Sequence, residues 1–289
     1  MTGLLRSYDQ VLGINERNAL IDAVNPRAAI RLVDDKVGTK QLLEDAGVAV
    51  PPTLLHVTRP ADARGLDDDE LPDAWACKPN RGLGGNGILL AAGRGDQGGW
   101  HSGSGRPVPL DSVRDHVRRT VDGEFSNHDH DTAFFEPLVR AHPDHARIAH
   151  EGLPDVRVLC RAGEPVLAMT RLPTAASAGK ANLHQGAIGA AVDLSSGEVT
   201  AARTERGPVE VHPDTGERIV GARLPHWSTV VEIAAGCGPA TGLVYVGADI
   251  VIDAERGPLV LEVNARPGLE IQNVHRRGLR PAFADLLPG

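Results

Sequence analysis

The sequence predicts an α+β protein in which two lobes are each built on an antiparallel-rich sheet. Three features carry that reading. VRVLCRAG and EPVLAMTRL show partial period-two alternation around Ala162–Gly163, as the strands of a hairpin do. LVYVGADIVI and PLVLEVNA read as a second pair of adjacent strands, joined by the turn DAERG. AWACKP and ILLAA form a third pair around the glycine-rich RGLGGNG. The order there is strand, loop, strand, unlike the strand, loop, helix of a dinucleotide fold or a Walker phosphate loop.

The remaining elements follow in order. Residues 1–33 are polar and mixed, and a short helix or arm is expected there. Asp34 and Asp35 are placed to cap a helix running to about Ala46, with Thr39, Leu42, Leu43 and Ala46 on its apolar face and Gly47 ending it. Pro51 and Pro52 lead into the extended LLHV. Residues 60–73 are acidic and turn-rich, and residues 93–109, with GRGDQGGWHSGSGRP, are expected to be exposed and mobile. SVRDHVRRTVD reads as a helix and TAFFEPLV as a strand. From His226 onward, Trp227, Val230, Val231, Ala234 and Cys237 recur at helical spacing, one apolar stripe to be packed on a sheet. The tail from about 270 to 289 is read as a short helix and then loop. The expected division is an arm over 1–33, a smaller lobe over 34–135 with an insertion at 93–131, and a larger lobe over 136–289.

Composition bounds the function. A chain of 289 residues is long enough for one substantial core or two lobes. The net charge is −8 and neither sign runs in a long block, so no basic face for nucleic acid is advertised. Cys77, Cys160 and Cys237 are odd in number and far apart, which argues against a disulfide framework or a CxxC metal site. No apolar run is long enough for a membrane span, and MTGLLRSYDQ lacks the core of a signal peptide, so the cytoplasm is the expected compartment. A partner protein and a homo-oligomer are both compatible with the sequence. His128 and His130 alternate with Asp129 and Asp131, which reads as an exposed loop before it reads as a zinc centre.

Three groups of residues carry chemistry. Asp249 ends one predicted strand, and Glu262 and Asn264 lie two apart on the next, so they share a face. Three oxygen donors on neighbouring strands suit magnesium bridging phosphate oxygens, with manganese as an alternative; polar residues on an exposed edge strand are the other reading. Gly82, Gly84, Gly85 and Gly87 would let backbone amides approach a phosphate, with Lys78 adding a point charge; a plain hairpin turn is the alternative. Arg157 and Arg171 lie in the central hairpin, suited to a substrate carboxylate or a transferred phosphate, or else to a solvated face. Lys180 stands beside a polar knot of Asn182, His184 and Gln185, either a substrate loop or a structural hydrogen-bond cluster.

Taken in order, these motifs resemble the ATP-grasp superfamily, and most of all its alpha-L-glutamate ligase-like members, which modify peptides or ribosomal protein tails. The resemblance runs from about Asp34 to Gly268. It implies two α/β lobes holding the nucleotide between two antiparallel-rich sheets, with only about thirty residues where relatives carry a full pre-grasp domain. DDKVGTKQLLEDAGVAVPPT looks like the start of the grasp domain, with Lys36 near the phosphates, and CKPNRGLGGNG looks like the phosphate-binding strand and loop, with Lys78 as main contact. FFEPLV looks like the adenine hinge, where Glu136 accepts from the adenine amino group and Leu138 offers backbone bonds, with Asp144 as the ribose-binding acid. DVRVL, with Asp155 and Arg157, MTR, with Arg171, and KANLHQG, with Lys180 and Asn182, are similar to the segments that face substrate and phosphate. GADIV and LEVNARPG carry the implied magnesium ligands Asp249, Glu262 and Asn264. The implied reaction activates a carboxylate as an acylphosphate with ATP, after which an amine, from an amino acid or peptide, attacks to give an amide. An ATP-grasp kinase and a nucleotide-responsive scaffold remain open as alternatives.

Overall fold

The computed structural model describes residues 9–82, 84–96, 98–127 and 130–287. His128 and Asp129 lie outside the described residues. Within Met1–Asp34, Gly38–Val50 and Arg140–Gly289 the described residues form one compact unit, and within Asp35–Val37 and Pro51–Val139 they form a second.

The first, larger unit is built on seven strands in the order β12-β11-β10-β9-β8-β13-β14, every pair antiparallel. These are β8 (Asp155–Arg161), β9 (Glu164–Leu172), β10 (Ile188–Val192), β11 (Val199–Thr204), β12 (Gly207–Val209), β13 (Tyr245–Asp253) and β14 (Gly257–Asn264). The β8–β9 hairpin turns at Ala162 and Gly163, both at positive φ (48° and 84°), the backbone that a two-residue turn of this twist requires. Every residue of β13 is buried, so each of its faces needs cover. Helix α6 (Trp227–Thr241) supplies it on one side: the Cys160 thiol donates to the Ala234 carbonyl at 3.5 Å, and Cys160 stands opposite Val246 in the β8–β13 register. The other face therefore carries Asp249 and its cross-strand neighbours.

The described residues 9–33, expected to form a short helix or arm, contribute two helices to the larger unit. Helices α1 (Ile14–Val24) and α2 (Arg27–Val33) bury Leu20, Ile21, Ile30 and Val33 in the core of the larger unit, together with Leu43 of α3 (Lys36–Asp45). Asn25 makes the attachment specific. Its side-chain oxygen accepts from the amides of Val244 and Tyr245 at 2.9 and 3.0 Å, and its amide donates to the Tyr245 carbonyl at 2.8 Å. Arg17 reaches the turn after β14, donating to the Pro267 carbonyl at 3.0 Å. Only polar composition is legible in residues 1–33, because these partners lie some 220 to 250 positions away. The smaller unit correspondingly begins its continuous stretch at Pro51, and α3 crosses from one unit into the other.

The smaller unit holds a four-stranded antiparallel sheet in the order β1-β7-β2-β3, from Leu55–Val57, Ala133–Pro137, Trp75–Pro79 and Leu89–Ala91. Helix α4 (Leu110–Val121) buries Val113, Val117 and Val121 at i, i+4 and i+8. The glycine-rich stretch before it is exposed over much of its described length, as expected, but it also holds short strands that its composition does not suggest. Gly93–Arg94 (β4), Trp100–His101 (β5) and Pro107–Val108 (β6) form a small sheet. Trp100 drives this: it is 1% exposed, meets Trp75 edge-on at 5.2 Å, and donates its indole N–H to the Pro72 carbonyl at 2.9 Å. Among the described residues no helix is long and apolar enough to cross a membrane. All three cysteines are buried free thiols.

His145, on the single turn α5 (Pro143–Ala146), is fully buried against Thr170 of β9, whose side chain leaves the sheet on the face opposite Arg171. The Thr170 hydroxyl donates to the Asp155 carbonyl at 2.9 Å, so it accepts from His145 Nε2 at 2.8 Å and fixes the neutral tautomer. Burial pushes the imidazole down to about 3. Its folded value lies below the unfolded one, so stability is full above pH 6.5 and is lost as pH falls toward the folded value. Between pH 7 and 4.5 the wild type should lose about 2.5 kcal/mol more than His145→Leu. Urea unfolding of both proteins at the two pH values checks this; parallel losses would exclude it.

Candidate functional site

Asp155, Arg157, Arg171, Asp249 and Glu262 gather on the face of the larger unit's sheet opposite α6, and the strand register does the gathering. Arg157 on β8 lies opposite Asp249 on β13, which lies opposite Glu262 on β14; Gly247 lies opposite Asn264. Asp155, two residues before Arg157, lies opposite Arg171 on β9. A bulge sets this alignment: Glu262 pairs with Asp249 but Val260 with Ile250, which leaves Leu261 as the extra residue.

Within this row the side chains close on one another. Arg157 forks Asp249 through Nε and Nη2 at 2.7 and 2.6 Å. Arg171 forks Asp155, with Nε to Oδ1 at 2.7 Å, and also reaches Asp249 at 2.9 Å. The Asn264 amide donates to Asp249 Oδ2 at 3.1 Å. Two acids and two guanidiniums thus make a neutral, largely buried cluster, the condition under which buried charge is tolerated. Burial works against ionisation of Asp249, but Arg157 and Arg171 outweigh it and hold the carboxyl down at about 2. At Asp155 burial wins over Arg171, and the carboxyl is pushed up to about 6, with the Asp249 charge adding to the rise.

The donor set fits a hard divalent cation. Carboxylates from Asp249 and Glu262 and an amide from Asn264 stand on two neighbouring strands and one face, leaving room in the coordination shell for phosphate oxygens and water. Asp249 is shared with Arg157 and Arg171, so cation and guanidiniums would divide its oxygens.

The other predicted residues of this unit are more scattered. Asp144 is exposed at α5 and sits 3.8 Å from His142 Nδ1. Asn182 acts as a cap: its side chain accepts from the His184 amide at 3.1 Å at the start of the turn Leu183–Gln185. Lys180 is exposed just before it.

In the smaller unit, Lys78 on β2 forms an ion pair with Glu136 on β7, whose side chain is 2% exposed. Their strands align Ala76 with Glu136 and Lys78 with Phe134, so the pair runs diagonally across one face. The Leu138 amide donates to the Ala74 carbonyl at 3.2 Å. Lys36, at the start of α3, donates to the Gly82 carbonyl at 2.7 Å, which places its ammonium at the base of the glycine loop. Asn80 caps the same helix by accepting from the Val37 amide at 2.8 Å, and Asp131 receives the amides of Arg81 and Thr132. The sequence assigns Asn80 no role of its own. The Asp131 that follows the alternating histidines, read there as part of a loop, is what pins the glycine loop's first residue.

The four glycines divide into two kinds. Gly84 and Gly85 have positive φ and open space around them, the geometry for amides that meet a ligand. A Cβ on Gly82 would lie 2.3 Å from Pro79, and one on Gly87 2.4 Å from the Phe125 ring. His116 stacks on that ring and donates to the Gly87 carbonyl at 2.9 Å. Gly87→Ala should therefore cost about 2–5 kcal/mol, from the left-handed backbone and the clash together, and Gly84→Ala about 1–2 kcal/mol from the backbone alone. Chemical unfolding of the two variants tests the division; equal losses would contradict it.

Comparison with known proteins agrees with this architecture. Residues 15–286 match the family described as sugar-transfer associated ATP-grasp. A probable alpha-L-glutamate ligase of Xanthomonas campestris pv. campestris (strain B100) is 27% identical over 246 residues, covering 85% of this chain and 62% of that protein. The same figures hold for its counterpart in strain 8004. The chain thus spans less than two thirds of the length of these relatives. The ATP-grasp ligase PsnB, solved with a minimal precursor, superposes with a TM-score of 0.50 at 16% identity, over 91% of this chain and 61% of that one. Its likeness extends to the fold. The α+β architecture, with its antiparallel sheets and flanking helices, is the ATP-grasp fold, and the chain belongs to the sugar-transfer associated ATP-grasp family.

Proposed function

We propose that this protein is a magnesium- and ATP-dependent carboxylate–amine ligase. One observation carries the reading: Asp249, Glu262 and Asn264 stand in register on one sheet face with two arginines beside them. The three oxygen donors would hold magnesium, which supplies charge neutralisation while the terminal phosphoryl is transferred. Lys36, Lys78 and the amides of Gly84 and Gly85 bind and orient the phosphates. Arg157 and Arg171 stabilise the charge that develops on the transferred phosphoryl and then on the tetrahedral intermediate. Asp155 holds Arg171 in place for that task. The substrate carboxylate attacks the terminal phosphorus and expels ADP to give an acylphosphate, and attack of an amine on its carbonyl carbon then expels phosphate. Glu136 and Leu138 serve the adenine, and Asp144 the ribose.

The glutamate ligase relatives favour glutamate as one partner, and the family's association with sugar transfer is the reason to include carboxylate- and amine-bearing sugars among the candidates. Mass spectrometry of products from ATP, magnesium and a panel of amino acids, peptides, sugar acids and amino sugars tests the proposal. Amide formed in step with ADP is expected. A stable phosphorylated product without amide would make the protein a kinase, and nucleotide binding without turnover of any pair would point to a scaffold.

A further inference from the structure

A second concavity lies on the same sheet face of the larger unit. Arg203 on β11 and Arg171 on β9 both stand opposite Gly189 of β10, so their side chains leave the same face two strand spacings, about 10 Å, apart. Leu183 and Val274 fill the space above Gly189, within 2.8 Å of where a Cβ would be, and separate the two arginines. Arg203 lines a pocket with Glu205, Glu270, Leu183 and Ala187. The contrast with its neighbours on the sheet is informative. Arg157 and Arg171 are each closed on a carboxylate, whereas half-buried Arg203 makes no ion pair among the described residues, although two carboxylates share its pocket. Glu270 is held by the Asn273 amide at 3.1 Å instead.

Opposite charges that share a pocket without meeting leave a gap that a zwitterion fills. A guanidinium forks a carboxylate, and the acidic side receives an ammonium. Leu183 and Ala187 give the pocket an apolar wall for the intervening carbon. Because about 10 Å of sheet separates Arg203 from Arg171, a molecule held here by its head reacts at its other end. We infer that this pocket binds the zwitterionic head of an α-amino acid whose side chain carries the group to be joined. The inference deepens the ligase reading and rests on it for the fate of that side chain, but not for the binding itself.

The test is calorimetric titration of the full chain, without nucleotide, with lysine, ornithine, glutamate and aspartate. Each is paired with analogues lacking the α-carboxylate or the α-ammonium: for lysine, pentane-1,5-diamine and 6-aminohexanoate. At least one amino acid should bind, and deleting either charge should weaken it about tenfold to a hundredfold. Arg203→Ala should weaken it by a similar factor, Arg203→Lys by less, and Glu205→Gln should discriminate against the ammonium alone. The melting temperature of each variant verifies that it folds. Failure of every amino acid to bind, or equal binding by wild type and a folded Arg203→Ala, would overturn the inference. Since no ATP is present, a pocket that binds in a protein without ligase turnover separates this result from failure of the proposed reaction.

Discussion

Asp249→Ala should destabilise the larger unit by about 3–5 kcal/mol and abolish ATP turnover. The stability loss follows from the cluster's charge. Asp249 accepts from Arg157 through two atoms, from Arg171 and from Asn264. Removing it leaves one uncompensated positive charge among buried groups, and a broken buried pair costs about that much. The effect has a pH signature. The folded carboxyl is held at about 2, below its ordinary value of 3.8, so its contribution is complete above that value and fades as pH falls from 3.8 toward 2. The gap between wild type and variant should therefore be full at pH 6 and narrow below pH 4. Urea unfolding across that range measures it. A gap under about 1 kcal/mol at pH 6 would mean that Asp249 does not hold the cluster together.

Lys78→Ala should reduce ATP use strongly and loosen the smaller unit. Glu136 is buried on β7, and its carboxylate faces the Lys78 ammonium. Truncating the lysine removes that counter-charge, at about 3 kcal/mol. The same change removes the point charge assigned to the phosphates. The two roles separate in a double variant. Lys78→Met with Glu136→Gln removes both charges of the pair, so most of the stability should return, while ATP affinity should fall below that of Glu136→Gln alone, which carries the loss of the adenine contact. Recovered stability with an affinity equal to that of Glu136→Gln would make Lys78 a purely structural residue, and loss of neither would remove it from the site altogether.

The strands that carry the candidate site were more legible in the sequence than the register and the distant contacts that bring their residues together. The strands bearing Asp249, Glu262 and Asn264 declare themselves through apolar residues on either side and a Pro-Gly turn after them. The β8–β9 hairpin is visible for the same local reason. What local pattern cannot give is register across strands far apart in sequence. Arg157 and Asp249 are 92 positions apart, and nothing near either residue announces that they are opposite. The same limit applies to Asn25 and Arg17, whose polar side chains read as part of a short helix or arm yet bind backbone 220 and 250 positions away. The segment around Trp100 holds short strands that escape the sequence pattern for another reason. Its glycines and serines dominate the composition, but a single tryptophan buried against Trp75 decides the outcome. The glycine loop shows a third limit: four glycines look equivalent in sequence, and only the packing of Pro79 and Phe125 tells two of them apart from the two that are open.

The measurement closest to the central claim is the magnesium dependence of ATP turnover in Glu262→Gln. Unlike Asp249, Glu262 lies at the rim of the cluster and is only partly buried, so the substitution should leave the melting temperature within about 2 °C of wild type. Turnover should fall at least about a thousandfold, as expected when a ligand to the charge-neutralising metal is lost, and raising magnesium should not restore it. Normal turnover with an unchanged magnesium requirement would contradict the assignment of Asp249, Glu262 and Asn264 as the metal site, and with it the ligase mechanism built on them.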